Sequence, residues 1–502
     1  MEIQFATGII MILLLIGMLA LAFDVQPVNA SGTIYIRADG SVDPPSAPIE
    51  RDGDIYTFTG DISEPIVVER DNITIDGNGH ILQSAGGGYG ITLSGRRCVT
   101  IKNAQIKLFD FGIWLNSSSS NTVSGNNITN NAYGLLLEFS SCNNTISGNN
   151  VTANNYDGVL LFFSSNNSIE GNIFVHDGLR VFDSSGNFVE DNSVNGKPLI
   201  YLERTSNLTI NYAGQVILVD CDGILVENLN LSYTDAGIQL WKTSNTKIKN
   251  NTITNSDTGI ELWSSSNNTI QGNSVTANNY DGVLLNSSSN NKIYHNNFIN
   301  NTDQVYMPYK STNIWDDGYP SGGNYWSDYN GTDLYSGSYQ NEAGSDGIGD
   351  VAYDIDADNT DNFPLMAPFS MFDAGSWDGI PYNVDVISNS TVSDFQINRT
   401  QRTISFNITG PDDTLGFCRV TIPNIIVQEL WHSNYTVLLN GELWTFRNWT
   451  DNTHTWLYFA YQHSPREVVV IIPEFQLLLI PLLLILATLT SNMLRKYTQK
   501  ET

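Results

Sequence analysis

Trp241 and Trp263 each stand four residues beyond a glycine, Gly237 and Gly259, and each has a polar residue two positions before it, Gln239 and Glu261. Indole faces stack on the CH faces of sugar rings, and amide or carboxylate oxygens beside them accept hydroxyl hydrogen bonds. If the glycine opens a β-strand, alternation sends Ile238, Leu240, Ile260 and Leu262 inward and these four side chains outward. Trp114, Leu136, Leu160 and Phe162 fall on the same outer face. Such a stripe calls either for a carbohydrate ligand or for a domain packed over it.

A second set of residues is acidic. Asp110, Asp157, Asp177, Asp235, Asp257 and Asp281 lie just before the same glycines. Stacked carboxylates would bind a cation or hold protons, and paired carboxylates serve glycoside hydrolysis. The simpler reading is that Asp beside Gly forms turns. The few arginines, such as Arg180 and Arg204, fall in a less regular stretch, so no catalytic residue is assigned. Further on, Asp354, Asp356 and Asp358 alternate, flanked by Asp346, Asp350 and Asp361. That density of hard oxygen donors suits Ca²⁺, although the glycine and glutamate of an EF-hand loop are missing.

The elements that position these groups come from a repeat. "VTANNYDGVLL" occurs at Val151 to Leu161 and again at Val275 to Leu285. Segments of the form N-T-I-x-G-N recur at Asn121, Asn144, Asn167, Asn268 and Asn291, mostly in steps of 23 residues. They align apolar columns through Val123, Ile146, Ile169, Ile248, Ile270 and Ile293, and through Ile128, Val151, Leu231, Ile253, Val275 and Phe298. Each repeat holds three short β-like runs separated by Asn, Ser and Gly turns. A unit so small cannot bury its own apolar face, so the units must stack. The expected fold is all-β: a right-handed parallel β-helix of about 22–23 residues per coil over 71–303, with Asn ladders in its turns. An N-terminal cap (31–70) precedes it, and an aromatic and acidic C-terminal cap (304–371) follows. From 372 to 470 the period gives way to short alternating strands, a small β-sandwich.

The bulk properties bound the function. The chain has 502 residues and a net charge of −29, which argues against nucleic acid and favours a neutral polar partner such as carbohydrate or a cell-envelope component. An apolar run ending near "VQPVNA" reads as a signal peptide over 1–30. The C-terminal stretch 473–494 is long enough to span a bilayer, and the basic residues of 495–502 would stay in the cytoplasm. The expected location is therefore the cell surface, with an extracellular domain held by the C-terminus. Asn72, Asn116, Asn150, Asn207, Asn230, Asn330, Asn389, Asn407, Asn434 and Asn448 head N-x-S/T triplets and are candidates for glycosylation. The four cysteines show neither metal nor redox spacing.

"DNITIDGNGHIL" at Asp71, "YHNNFINN" at Tyr294, "NIWDDGYPSGGNYWSDY" at Asn313 and "GSDGIGDVAYDIDADNTDNFPL" at Gly344 resemble archaeal surface proteins with a NosD-like right-handed β-helix, labelled periplasmic copper-binding or carbohydrate-binding. "IIPEF" before the apolar span resembles a PEF-type C-terminal anchor signal. The resemblance implies a membrane-anchored β-helix protein that binds carbohydrate or serves the envelope. A polysaccharide-degrading hydrolase or lyase on the same coil is the alternative. A copper-related accessory role is the third reading, disfavoured because the histidines and methionines stand in unrelated registers. No cofactor is assigned with certainty.

Overall fold

The computed structural model describes residues 32–463 and 467–473. The expected signal peptide, most of the expected membrane span and the basic tail lie outside the described residues. Among the described residues no helix is long and apolar enough to cross a membrane. The chain divides into two units, Met1–Asn192 and Ser193–Thr502. The fold is all-β, a β-solenoid of right-handed type with about 11 turns counted over both units.

In the first unit each coil contributes one long strand and two short ones. The long face runs in parallel through Ile34–Ile36, Ile66–Val68, Tyr89–Ser94, Phe111–Asn116, Tyr133–Glu138, Asp157–Phe162 and Leu179–Phe182. Register follows the apolar columns: Val123 pairs with Ile146 and Ile146 with Ile169, and all three are fully buried. Parallel coiling begins earlier than the repeat suggests, because Ile34–Ile36 already pairs with Ile66–Val68. The antiparallel hairpin of Ile49–Asp52 and Ile55–Phe58 replaces an Asn turn there, which hides the period.

The turns hold their shape by asparagine ladders. Asn149 Oδ1 accepts the Asn126 backbone N–H and side-chain amide, both at 3.0 Å. Its own Nδ2 donates to Val123 O at 2.9 Å and to Asn172 Oδ1 at 3.0 Å. A buried amide with every bond made turns a polar residue into a core element. The glycine column has a steric cause: a Cβ on Gly112 or Gly134 would come within 2.6 Å or 2.5 Å of the next coil's carbonyl.

The second unit continues the pattern with its own long face: Lys197–Glu203, Gln215–Val219, Ala236–Trp241, Thr258–Trp263, Asp281–Asn286 and Asp303–Tyr306. Its last coils are closed by the aromatic segment. Trp315 and Trp326 are 1% exposed within the coil core, and Trp326 stacks between Phe298 at 4.6 Å and Tyr353 at 4.5 Å. This closes an end that would otherwise expose core and strand edges.

Two five-stranded antiparallel sheets then form the sandwich, from Phe369–Trp377 to Glu467–Pro473, with one helix, Asn424–Trp431. It is tied to the cap. Arg419 is fully buried and its Nη1 donates to Asp346 O at 2.5 Å, while Arg447 Nη1 reaches Ser345 O at 2.9 Å.

Candidate functional site

In the first unit the outward side chains of the long face form an aromatic surface. Tyr89, Phe111 and Tyr133 occupy one register row, with ring centroids 5.1 Å apart at each step and planes within 12°. Tyr156 extends the stack at 5.2 Å. Strand spacing dictates this separation, which is also a stacking distance. The two end rings are exposed, Tyr89 at 39% and Tyr156 at 38%. Trp114 lies beside Tyr89 at 4.6 Å. Phe162 meets Phe139, Phe163 and Phe182 edge to face, with Phe139 and Phe163 exposed.

Charged groups punctuate this surface. Trp114 Nε1 donates to Glu138 Oε1 at 2.9 Å. Burial pushes the Glu138 carboxyl above the usual range, opposed by that N–H. Asp157 pairs with Arg180 at 3.1 Å; burial raises its carboxyl too, against the pull of the guanidinium. The sequence had suggested no basic partner for the acidic edge. Arg180 supplies one, because it takes the outward position after Gly178 one coil on, where it reaches back to Asp157. Asp110 Oδ2 accepts the Gly88 N–H at 2.6 Å.

Trp241 and Trp263 lie on the long face of the second unit. They are paired in register, as are Gln239 and Glu261, and all four leave the sheet on its outer side. Yet Gln239 is fully buried, Glu261 is 1% exposed and Trp241 is 6% exposed. Trp263 is half-buried, its Nε1 bonded to Glu261. Lys242 Nζ sits 4.2 Å over the Trp241 ring. Alternation decides which side of a sheet a residue takes, and says nothing about whether that side is open. Of the five carbohydrate candidates, Trp114 alone stands on the aromatic surface of the first unit.

The remaining acids act within loops or ladders. Asp177 takes an asparagine's place in a ladder, accepting Asn154 N and Nδ2 at 3.0 and 2.9 Å. Asp257 accepts from Asn279 at 3.0 Å. Asp235 and Asp281 are buried.

The six calcium candidates are not gathered. Asp346 caps Ile348 N, and Asp350 accepts from Thr332, Leu334 and Tyr335. Asp354 and Asp356 serve Thr360 and the Asp358 and Asn359 groups, and Asp358 pairs with Lys310. Asp361 accepts from Asn324, Trp326 and Phe363. Among the described residues no three His, Cys, Asp or Glu side chains converge as metal ligands.

Of the glycosylation candidates, Asn116 and Asn407 are half-buried and the other eight are exposed. Cys98 is exposed, Cys142 half-buried and Cys221 and Cys418 buried, the Cys418 Sγ lying 3.4 Å from both Ser388 Oγ and Tyr461 OH.

A stacked, Asn-laddered β-solenoid with an outer aromatic surface is the class these features define. The chain belongs to the NosD family, described as periplasmic copper-binding proteins: the family model matches residues 70–210 and again 176–331, together more than half of the chain. No curated protein matches it significantly. Among solved structures, the chain resembles the Dettilon tailspike protein at 10% identity (81% of this chain, 87% of that one, TM-score 0.22). It also resembles the catalytic domain of a GH87 α-1,3-glucanase in complex with nigerose at 16% identity (60% and 71%, TM-score 0.28). PfbA, a surface adhesin of Streptococcus pneumoniae, matches at 14% identity (53% and 75%, TM-score 0.24). Likenesses this distant carry no chemistry across.

The copper in the family's description does not fit the donors here. His295 is buried, its ring stacked on Phe369 at 4.6 Å and its Nε2 3.1 Å from Ser321 O. His463 lies between Ser390 Oγ at 2.7 Å and Thr414 Oγ1 at 2.8 Å. His80 faces Asp61 at 3.5 Å, and His454 bonds to Thr453 at 2.9 Å. Copper sites gather His, Met or Cys in one place, and these histidines are engaged separately.

Proposed function

We propose that this is an exported surface protein that binds polysaccharide on the long face of its first unit. The observation that carries the proposal is the stacked row Tyr89, Phe111, Tyr133 and Tyr156, with Tyr89 and Tyr156 exposed, flanked by Trp114 and its hydrogen-bonded Glu138. Rings stacked on one another present their edges along the row. Sugar CH groups can pack on those surfaces while hydroxyls donate to Glu138. Exposed aromatic rings gathered on one face mark a contact site. The chain's charge of −29 disfavours long polyanions, so the face suits a neutral glycan. The test is a glycan array with wild type, Tyr89→Ala, Tyr156→Ala and Trp114→Ala. Loss of binding at an unchanged melting temperature supports the reading.

A second reading is glycan cleavage, favoured by Glu138 and Asp157, two carboxyls that burial inclines to hold protons on this one face. An acid so disposed can protonate a leaving oxygen. Release of reducing ends or unsaturated sugar from a bound polysaccharide, lost in Glu138→Gln, would establish it.

The sequence also argues for a C-terminal anchor. The sandwich would then stand between the membrane and the coils, as a spacer fixed to the cap through Arg419 and Arg447.

A further inference from the structure

A cavity of about 300 Å³ opens in the sandwich beside the hairpin that joins Phe369–Trp377 to Ile380–Ser388. Two arginines line it, Arg399 and Arg402, in a chain with 23 basic and 52 acidic residues. The Arg399 guanidinium lies over the buried Trp377 ring at 3.9 Å and donates to Ser376 O. Arg402 is held by its backbone: its carbonyl accepts Trp431 Nε1 at 2.7 Å, and its φ of 58° sets the turn. Asp378 and Glu429 line the same cavity. Even so, among the described residues neither guanidinium forms an ion pair with a carboxylate.

The oriented Arg399 guanidinium, Arg402, two acceptor carboxylates and the aliphatic side chains of Ile425 and Leu430 make a complementary set. Guanidinium matches a carboxylate in bidentate geometry. Free carboxylates accept hydroxyl donors. Aliphatic groups take the CH face of a small ring. The volume lies at the lower end of small-ligand sites. We propose that this cavity binds a polyhydroxylated carboxylic acid of monosaccharide size, an acidic sugar, with its carboxylate on Arg399 and Arg402 and its hydroxyls on Asp378 and Glu429. This site is separate from the aromatic face and does not depend on it.

The test is isothermal titration of the full-length protein with glucuronate, glucose and acetate. The site predicts saturable glucuronate binding, about tenfold weaker in Arg399→Gln and in Arg402→Gln, since each loses a charge-assisted pair. Glucose lacks the carboxylate and acetate lacks the hydroxyls, so each binds about tenfold more weakly than glucuronate on the same reckoning. Both arginines are exposed, so folding is not at stake in either variant. Trp114→Ala retains glucuronate binding, which keeps this result distinct from the fate of the aromatic face. Absence of saturable glucuronate binding would overturn the proposal. So would binding unchanged in both arginine variants, acetate binding as tight as glucuronate, or loss with Trp114→Ala.

Discussion

Asn149 and Asn150 are adjacent in sequence and opposite in role, which makes them a controlled pair. Asn149 is 1% exposed and its side chain makes four hydrogen bonds, two accepted from Asn126 and two donated to Val123 O and Asn172 Oδ1. Asn149→Ala removes all four and strands the Asn126 N–H inside the turn, while the Val123 carbonyl keeps its place in the strand ladder. A buried group left without a partner costs about 1–3 kcal/mol, so the variant should lose about that much. Asn150 is exposed and its side chain makes two bonds at the surface, donating to Asn127 Oδ1 at 3.0 Å and accepting from Thr152 Oγ1 at 3.3 Å, so Asn150→Ala should change stability by no more than about 0.5 kcal/mol. Urea unfolding followed by far-UV circular dichroism measures both. Equal changes in the two variants, or a loss below about 1 kcal/mol for Asn149→Ala, would mean that the ladder does not hold the coils as described.

Three further outcomes are expected. Burial raises the Asp361 carboxyl from 3.8 to about 7, against its N–H donors. Its stabilising contribution is therefore complete below about pH 4 and is lost as pH rises through 7, up to about 4 kcal/mol; melting of wild type should fall from pH 5 to 8 and that of Asp361→Asn should fall less, whereas identical slopes would refute the assignment. EDTA should leave the melting temperature of the wild type unchanged, because the loop carboxylates serve backbone and side-chain donors; a drop reversed by Ca²⁺ would show a site that these contacts conceal. A chain ended after Pro473 should be released from membranes as folded protein, whereas one ended at Val470 should misfold, since it loses the fully buried Ile471 from a strand paired on both sides. Membrane retention of the longer truncation would point to anchoring from the other end.

The coil was readable because its determinants are local and repeated. Ile146, Asn144 and Gly134 fill the same roles in every turn, so spacing alone exposes strand, ladder and close approach. The first coil was not, because the hairpin at Ile49–Asp52 and Ile55–Phe58 interrupts the spacing. The outward direction of Gln239, Trp241, Glu261 and Trp263 followed from alternation, but their burial depends on packing beyond the strand, which no periodicity encodes. Arg180 with Asp157 was missed for a related reason. The pair forms across coils, and reading it requires knowing which outward position each occupies. The calcium loop shows a different limit, since acidic density does not reveal that Asp350 and Asp361 are already committed to N–H donors.

The central claim is that the aromatic face of the first unit is a carbohydrate platform. Its most direct measurement is the affinity of array-selected polysaccharide for wild type and for the Tyr89→Ala, Tyr156→Ala double variant, with thermal melting recorded on the same samples. Removing both exposed rings should weaken binding about tenfold or more, the factor given by about 1.4 kcal/mol of lost stacking, while the melting temperature stays put. Binding of every glycan at wild-type affinity, or a loss of affinity matched by a loss of stability, would contradict the account.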